Sequence, residues 1–249
     1  MSSPPSTVSV AAMTHRGAVR PHNEDTIAIG PWICCKDLLR PMAFDFRLAA
    51  QETLLCLVAD GLGGHNAGQL ASNIAAHSLI LDLSGAGPAG LEDRVGQSVR
   101  SANRSVYARM EDDPDLAEMG STVAGLVLAG EELAVFNVGD SRVYRWEKGS
   151  LTQLTTDDVP DSEFRTGLIL QSLGGSAELI EIDPHVVMEK WMAGRRYLIC
   201  SDGLYESVPR QAIESALKQP LLTAAETLFD QALAAHASDN LSLILVDRA

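Results

Sequence analysis

Asp60-Gly61-Leu62-Gly63-Gly64 follows directly on the apolar run Thr53 to Ala59 and combines a carboxylate with unusually permissive backbone. The run is too short and too uniformly apolar for an amphipathic helix, so it reads as a strand buried on both faces with Asp60 at its exit. Glycines after such an exit permit positive φ and close backbone approach, which lets a main-chain carbonyl address the same hard cation as the carboxylate. Asp-Gly is equally the chemistry of an ordinary turn, so the motif is judged by its company. That company is acidic. Asn23-Glu24-Asp25, Gly139-Asp140-Ser141-Arg142 and Cys200-Ser201-Asp202-Gly203 also sit at the ends of strand-like segments, and Asp239-Asn240 precedes the last one. If these ends converge, their carboxylates form an all-oxygen site suited to magnesium or manganese rather than a sulfur-rich zinc site. Such like charges repel unless a cation joins them. Singly, Asp140 and Asp239 read as helix caps or turn residues.

The elements that must bring these motifs together are strands first. Thr7 to Ala12 and Thr26 to Ile29 have strand character, and Pro31 to Gln51 reads as a long excursion between two strands. Asn66 to Leu83, through Leu70, Ile74, Leu79, Ile80 and Leu81, and Leu91 to Met110 have helical spacing. Ser121 to Ala129, Leu133 to Val138 and Arg142 to Trp146 read as an antiparallel meander. Thr155 to Gly175 has no clear period. Strands resume at Val186 to Trp191 and Tyr197 to Cys200, helices at Pro209 to Lys218 and Leu221 to Ala235, and Leu241 to Val246 is a closing strand. Sheets covered by helices are expected.

The chain has 249 residues, a length compatible with one domain over residues 7–249 after a disordered tail at 1–6. Its 33 acidic against 19 basic residues, a net charge of -14, argue against nucleic acid or an anionic membrane as partner. Four cysteines, two of them adjacent at Cys34-Cys35 and none in a Cys-x-x-Cys pair, read as reduced thiols. With neither a secretory signal nor a membrane-length apolar stretch, the expectation is a cytoplasmic monomer.

In order along the chain, Gly17-Ala18-Val19-Arg20 with Asn23-Glu24-Asp25, Asp60-Gly61-Leu62-Gly63-Gly64-His65, Gly120-Ser121-Thr122, Gly139-Asp140-Ser141-Arg142, Ser201-Asp202-Gly203-Leu204 and Asp239-Asn240-Leu241-Ser242 resemble the PP2C-type, or PPM, family of metal-dependent protein serine/threonine phosphatases. The resemblance spans nearly the whole chain. It implies an α+β fold, a four-layer αββα sandwich of two packed, mainly antiparallel sheets flanked by helices. It also implies two Mn2+ or Mg2+ ions, with Asp60 bridging them, Asp202 and Asp239 completing one shell and the Gly61 carbonyl serving the other. Glu24 and Asp25 act on the shell through bound water, and Asp140 with Asp202 serves a third, weaker ion. Arg20 matches the family's phosphate-binding arginine, and its guanidinium fork suits two phosphoryl oxygens. Ser121, Thr122 and Arg142 are expected to hold structure.

The chemistry implied by the resemblance is attack of a metal-bridging water on a phosphomonoester, with no cysteine or serine nucleophile. The implied partners are phosphorylated proteins, the substrates of a bacterial Ser/Thr kinase. A small-molecule phosphomonoesterase and a non-catalytic pseudophosphatase are the alternative readings. Two departures stand out. Leu62 occupies the place where many eukaryotic relatives have a histidine, which leaves metal-bound water as the leaving-group acid and His65 as a minor candidate. Asp157 is followed by Asp158 where bacterial relatives have an Asp-His pair, and the flap near 155–175 reads as shortened, ending in Leu170-Gln171-Ser172-Leu173-Gly174.

Overall fold

The computed structural model describes residues 6–63, 66–85, 89–161 and 167–248. Two six-stranded antiparallel sheets make up its centre. The first runs, in spatial order, β11 (Ser150–Gln153), β10 (Arg142–Glu147), β14 (Arg195–Cys200), β15 (Leu241–Arg248), β1 (Ser6–His15) and β4 (Met42–Leu48). The second runs β13 (His185–Lys190), β9 (Glu132–Val138), β8 (Val123–Ala129), β5 (Thr53–Ala59), β2 (Thr26–Ile29) and β3 (Trp32–Cys34). A small third sheet joins β12 (Leu173–Gly174), β7 (Gly120–Ser121) and β6 (Gly61–Leu62).

The period of two along each strand dictates the layering. On β1, Val8, Val10 and Ala12 face the second sheet, where they meet Ile27, Leu54, Val58 and Leu126, while Ala11 and Met13 face the opposite way. On β5, Leu54, Cys56 and Val58 point inward and Leu55, Leu57 and Ala59 outward. Strands apolar on both faces need cover on both, and helices supply it. The helices α1 (Asn66–Leu83) and α2 (Leu91–Glu111) cover the second sheet, and α3 (Asp202–Ser207), α4 (Arg210–Ala216) and α5 (Leu221–Ala234) cover the first. The result is the four-layer αββα sandwich that the sequence implied. Among the described residues, no helix is long and apolar enough to cross a membrane.

Several local readings need correction. Pro31 to Gln51 is not an unstructured excursion: it holds β3 and β4, and β4 pairs with β1 from Ser6↔Leu48 to Ala12↔Met42. As an edge strand, β4 exposes several of its residues, among them Asp45 and Arg47, which interrupt its apolar pattern. Pairing begins at Ser6, inside the expected tail; residues 1–5 lie outside the described part. The meander is also broken. Whereas β8 and β9 pair, β10 leaves for the other sheet and pairs with β11 and β14. Leu81 is 76% exposed. The buried face of α1 is Ala71, Ala75, Ala76, Leu79 and Leu83, with Leu70, Ile74 and Ile80 packed at its margin; the three alanines let the helix lie close to β5 and β6. The short helix α3 was not foreseen.

Candidate metal centre

Antiparallel register brings the acidic motifs to one end of the sandwich. The pairs His15↔Leu241, Cys200↔Leu243, Thr26↔Ala59 and Val123↔Val138 place the end of β1, the start of β15, the ends of β14, β5 and β9 and the start of β2 on the same rim. Glu24, Asp25 and Asp60 therefore come from the second sheet, Asp202 and Asp239 from the first. Arg20 and Asp140 lie on the segments that cross between the sheets. There, Arg20, Glu24, Asp60, Gly61, Asp140, Asp202 and Asp239 line a cavity of about 720 Å³.

Each donor is held by its backbone. The Asp60 carbonyl accepts from the Thr122 N–H at 2.9 Å and the Ser121 hydroxyl at 3.0 Å, while the Asp60 N–H donates to Thr122 Oγ1 at 3.4 Å. Gly61 has room for no other residue. A Cβ there would stand 2.3 Å from the Gly68 carbonyl oxygen on α1 and 2.7 Å from that of Glu24, so a side chain would push apart the helix and strand that frame the site. Asp202 opens α3, and the Tyr205 hydroxyl one turn later donates to the Asp140 carbonyl at 3.0 Å. Arg142 is fully engaged: it grips Asp157 through Nε and Nη2, the latter at 2.6 Å, donates to the Tyr144 hydroxyl and lies 3.7 Å above the Tyr205 ring. Arg20 donates from Nη2 to Asp239 Oδ2 at 2.7 Å, which keeps its guanidinium on the cavity wall.

The charges are unbalanced. Asp60 is pushed well above the ordinary carboxylate range by burial and by the facing charges of Asp25, Asp202, Asp239 and Asp140. Asp25, wholly buried behind the cavity, is pushed up to about 7 by burial, against the opposing hydrogen bonds of Ser242 and Ser201 and with Asp202 and Asp239 adding to the rise. Ser201 donates to Asp25 Oδ2 at 2.8 Å, yet the buried Oδ1 has no hydrogen-bond partner. A buried carboxylate oxygen without a donor is costly, and a hard cation or its hydration shell relieves that cost. The side-chain donors of the cavity are oxygens, with neither histidine nor thiol among them. This chemistry suits Mg2+ or Mn2+. As they stand, no three His, Cys, Asp or Glu side chains among the described residues are gathered into a group that would hold a metal. The carboxylates ring the cavity rather than close on a point, as mutual repulsion requires.

The family profile described as protein phosphatase 2C matches residues 33–245. The chain belongs to the protein phosphatase 2C family. It is 34% identical over 254 residues to the serine/threonine protein phosphatase PstP of Mycobacterium tuberculosis, an alignment covering 95% of this chain and 44% of that one. It thus spans less than half the length of these mycobacterial relatives. With the serine/threonine phosphatase stp of Listeria welshimeri it shares 30% identity over 94% of both chains. The crystal structure of Mycobacterium tuberculosis PstP superposes with a TM-score of 0.79 at 31% identity, covering 97% of this chain and 98% of that one. A structure of the PstP catalytic domain in complex with two manganese ions gives 0.77 at 32% identity, with the same coverage.

Set in the protein phosphatase 2C fold, the residues singled out by type and spacing fall in one place. All line the cavity except Asp25, which stands directly behind it. Ser121, Thr122 and Arg142 make structural bonds. His65 lies outside the described residues. Asn240, Ser201, Tyr205 and Asp157 were overlooked as parts of the site. Asn240 and Ser201 stood inside the quoted motifs, and their signal was a polar residue beside an acid at a strand end. Asp157 stood in the Asp157-Asp158 pair noted at the start of the flap, and Tyr205 carried no local signal.

Proposed function

We propose that this chain is a protein serine/threonine phosphatase that hydrolyses phosphoserine and phosphothreonine with two Mn2+ or Mg2+ ions. The observation that carries this reading is the gathering of Arg20 and acidic side chains from both sheets around a single cavity. Asp60, Asp202, Asp239 and the Gly61 carbonyl would hold the two ions. Glu24 and Asp25 would act on their hydration shell, and Asp140 with Asp202 would serve a weaker third ion. When bound, the ions supply an activated water nucleophile and neutralise charge on the transferring phosphoryl group.

The chain's own residues do the rest. Arg20 exchanges its bond to Asp239 for a fork on two phosphoryl oxygens, which orients phosphorus for in-line attack. Ser121 and Thr122 fix the peptide that aims Asp60. Around the flap, the described stretches 155–161 and 167–175 are joined through Asp158. Asp158 Oδ2 accepts from the Gly139 N–H at 2.8 Å, and its Oδ1 takes the Gln171 amide and the His185 ring, each at 2.9 Å.

A cytoplasmic monomer acting on the products of a bacterial Ser/Thr kinase completes the proposal, and the free cysteines are consistent with a reducing compartment. Hydrolysis of para-nitrophenyl phosphate and phosphopeptides with Mn2+, abolished by chelator, is the expected result. Turnover of metabolite esters alone would favour a small-molecule phosphomonoesterase. No turnover with any divalent ion would leave a binding module.

A further inference from the structure

We propose that Asn240 is a positioning residue that sets Arg20 and Glu24 against the acidic cluster; the inference rests on the phosphatase reading above. The segment between β1 and β2 crosses from one sheet to the other without regular structure, and Arg20 lies at its middle. Something other than a strand or helix ladder must hold it. Asn240 is 4% exposed and spends its whole amide on this segment. Its Oδ1 accepts from the Glu24 N–H at 2.8 Å, and its Nδ2 donates to the His22 carbonyl at 2.9 Å and the Arg16 carbonyl at 3.1 Å. One donor and two acceptors facing the amide fix its orientation without ambiguity.

The rest of the turn cooperates. Gly17, at φ +76°, packs so closely that a Cβ would lie 2.1 Å from the Asp239 carbonyl oxygen, and the Ala18 N–H donates to the Ala237 carbonyl at 2.8 Å. The Asn240 N–H donates to Asp239 Oδ1 at 2.8 Å, which turns Oδ2 toward Arg20. The two neighbours thus act together on Arg20, Asp239 holding its side chain and Asn240 the backbone on either side of it, at Arg16, His22 and Glu24. Asn240 lines the cavity wall but acts on phosphate through Arg20.

The test compares Asn240→Ala, Arg20→Ala and the double variant. Because small displacements of a binding group are costly, Asn240→Ala should raise both KM for para-nitrophenyl phosphate and the inhibition constant of inorganic phosphate roughly 10-fold or more, with kcat within about 3-fold. Mn2+ affinity measured calorimetrically should shift less than phosphate affinity. The double variant should bind phosphate no worse than Arg20→Ala alone. An unchanged KM with a fallen kcat, or effects of the two substitutions that multiply, would overturn the proposal. Hydrogen exchange in the metal-free wild type needs neither a folded variant nor activity: the Glu24 amide should be protected like its sheet neighbours. Unprotected exchange there sinks the role of Asn240, whereas absent Mn2+-dependent turnover with a protected Glu24 sinks the phosphatase reading instead.

Discussion

Two clusters of charge sit at opposite ends of β10 and β14, and they solve the same problem differently. At the far end, Arg145 and Arg195 interleave with Glu147 and Glu189: Arg195 lies 3.4 Å from Glu147 and 3.6 Å from Glu189, Arg145 pairs with Glu189, and the Tyr197 hydroxyl donates to Glu189 at 3.0 Å. Two cations meet two anions, and the cluster is neutral. At the cavity end, Arg142 is consumed by Asp157, and among the described residues Arg20 is the remaining cation facing Glu24, Asp25, Asp60, Asp140, Asp202 and Asp239. Counted over the described residues, the far end is balanced and the cavity end carries more acid than base. The surplus marks where an external cation belongs.

The largest expected effect separates the two ends by activity. Asp60→Asn should lower Mn2+-dependent turnover of para-nitrophenyl phosphate by roughly 10³-fold, about 4 kcal/mol of transition-state stabilisation. Its melting temperature in chelator should stay level or rise, because one repelling charge is gone. A variant that melts lower than wild type in chelator would show that Asp60 stabilises the fold and end the contrast.

Next in size is a pH effect confined to the cavity end. Asp25 holds its proton up to about pH 7 in the folded state, whereas the unfolded chain releases it near the ordinary carboxylate value. Between these values the folded chain binds more protons, so metal-free stability should fall as pH rises through that window, by an amount on the order of 4 kcal/mol. Saturating Mn2+ should flatten the dependence, and denaturant melts at pH 5 and pH 8, with and without the ion, would reveal it. A metal-free protein that gains stability with rising pH contradicts the assignment.

Breaking the balanced end should cost stability and spare catalysis. Glu189→Gln is expected to lower unfolding free energy by about 1–2 kcal/mol, since the network is only partly shielded from water, with KM unchanged. Urea melts and steady-state kinetics on the same preparation measure both. Smallest of all, Tyr205→Phe should cost about 1 kcal/mol through the lost bond to the Asp140 carbonyl. If it instead abolished turnover, Tyr205 would belong to the chemistry rather than to the frame.

Much of this contrast was legible in the residues, because the cavity donors lie beside strand ends and apolar strands announce themselves. What escaped notice depended on partners distant in sequence. Gly139-Asp140-Ser141 reads like a hairpin, yet Gly139 at φ +94° helps turn the chain out of one sheet and into the other. A short polar connection looks alike in both cases, since the choice is made by what β10 packs against. The edge strand β4 was hidden by its exposed charged residues Asp45 and Arg47, and α1 was assigned its right span and most of its buried face, with Leu81 misplaced and the buried alanines missed. Asn240 was visible as a letter in a motif. Its three bonds, to residues more than two hundred positions away, were not.

The cavity draws its carboxylates from both sheets, and this gives the alanines of the interior an unexpected office. Stacked sheets lie about 10 Å apart, at a separation set by the side chains between them. Here that filling includes Ala12 of one sheet and Ala124 of the other among bulkier neighbours. The span from Asp60 to Asp202 and Asp239 is therefore gauged by hydrocarbon remote from any charge, and a methyl group added deep in the sandwich would open the jaws of the caliper at its rim.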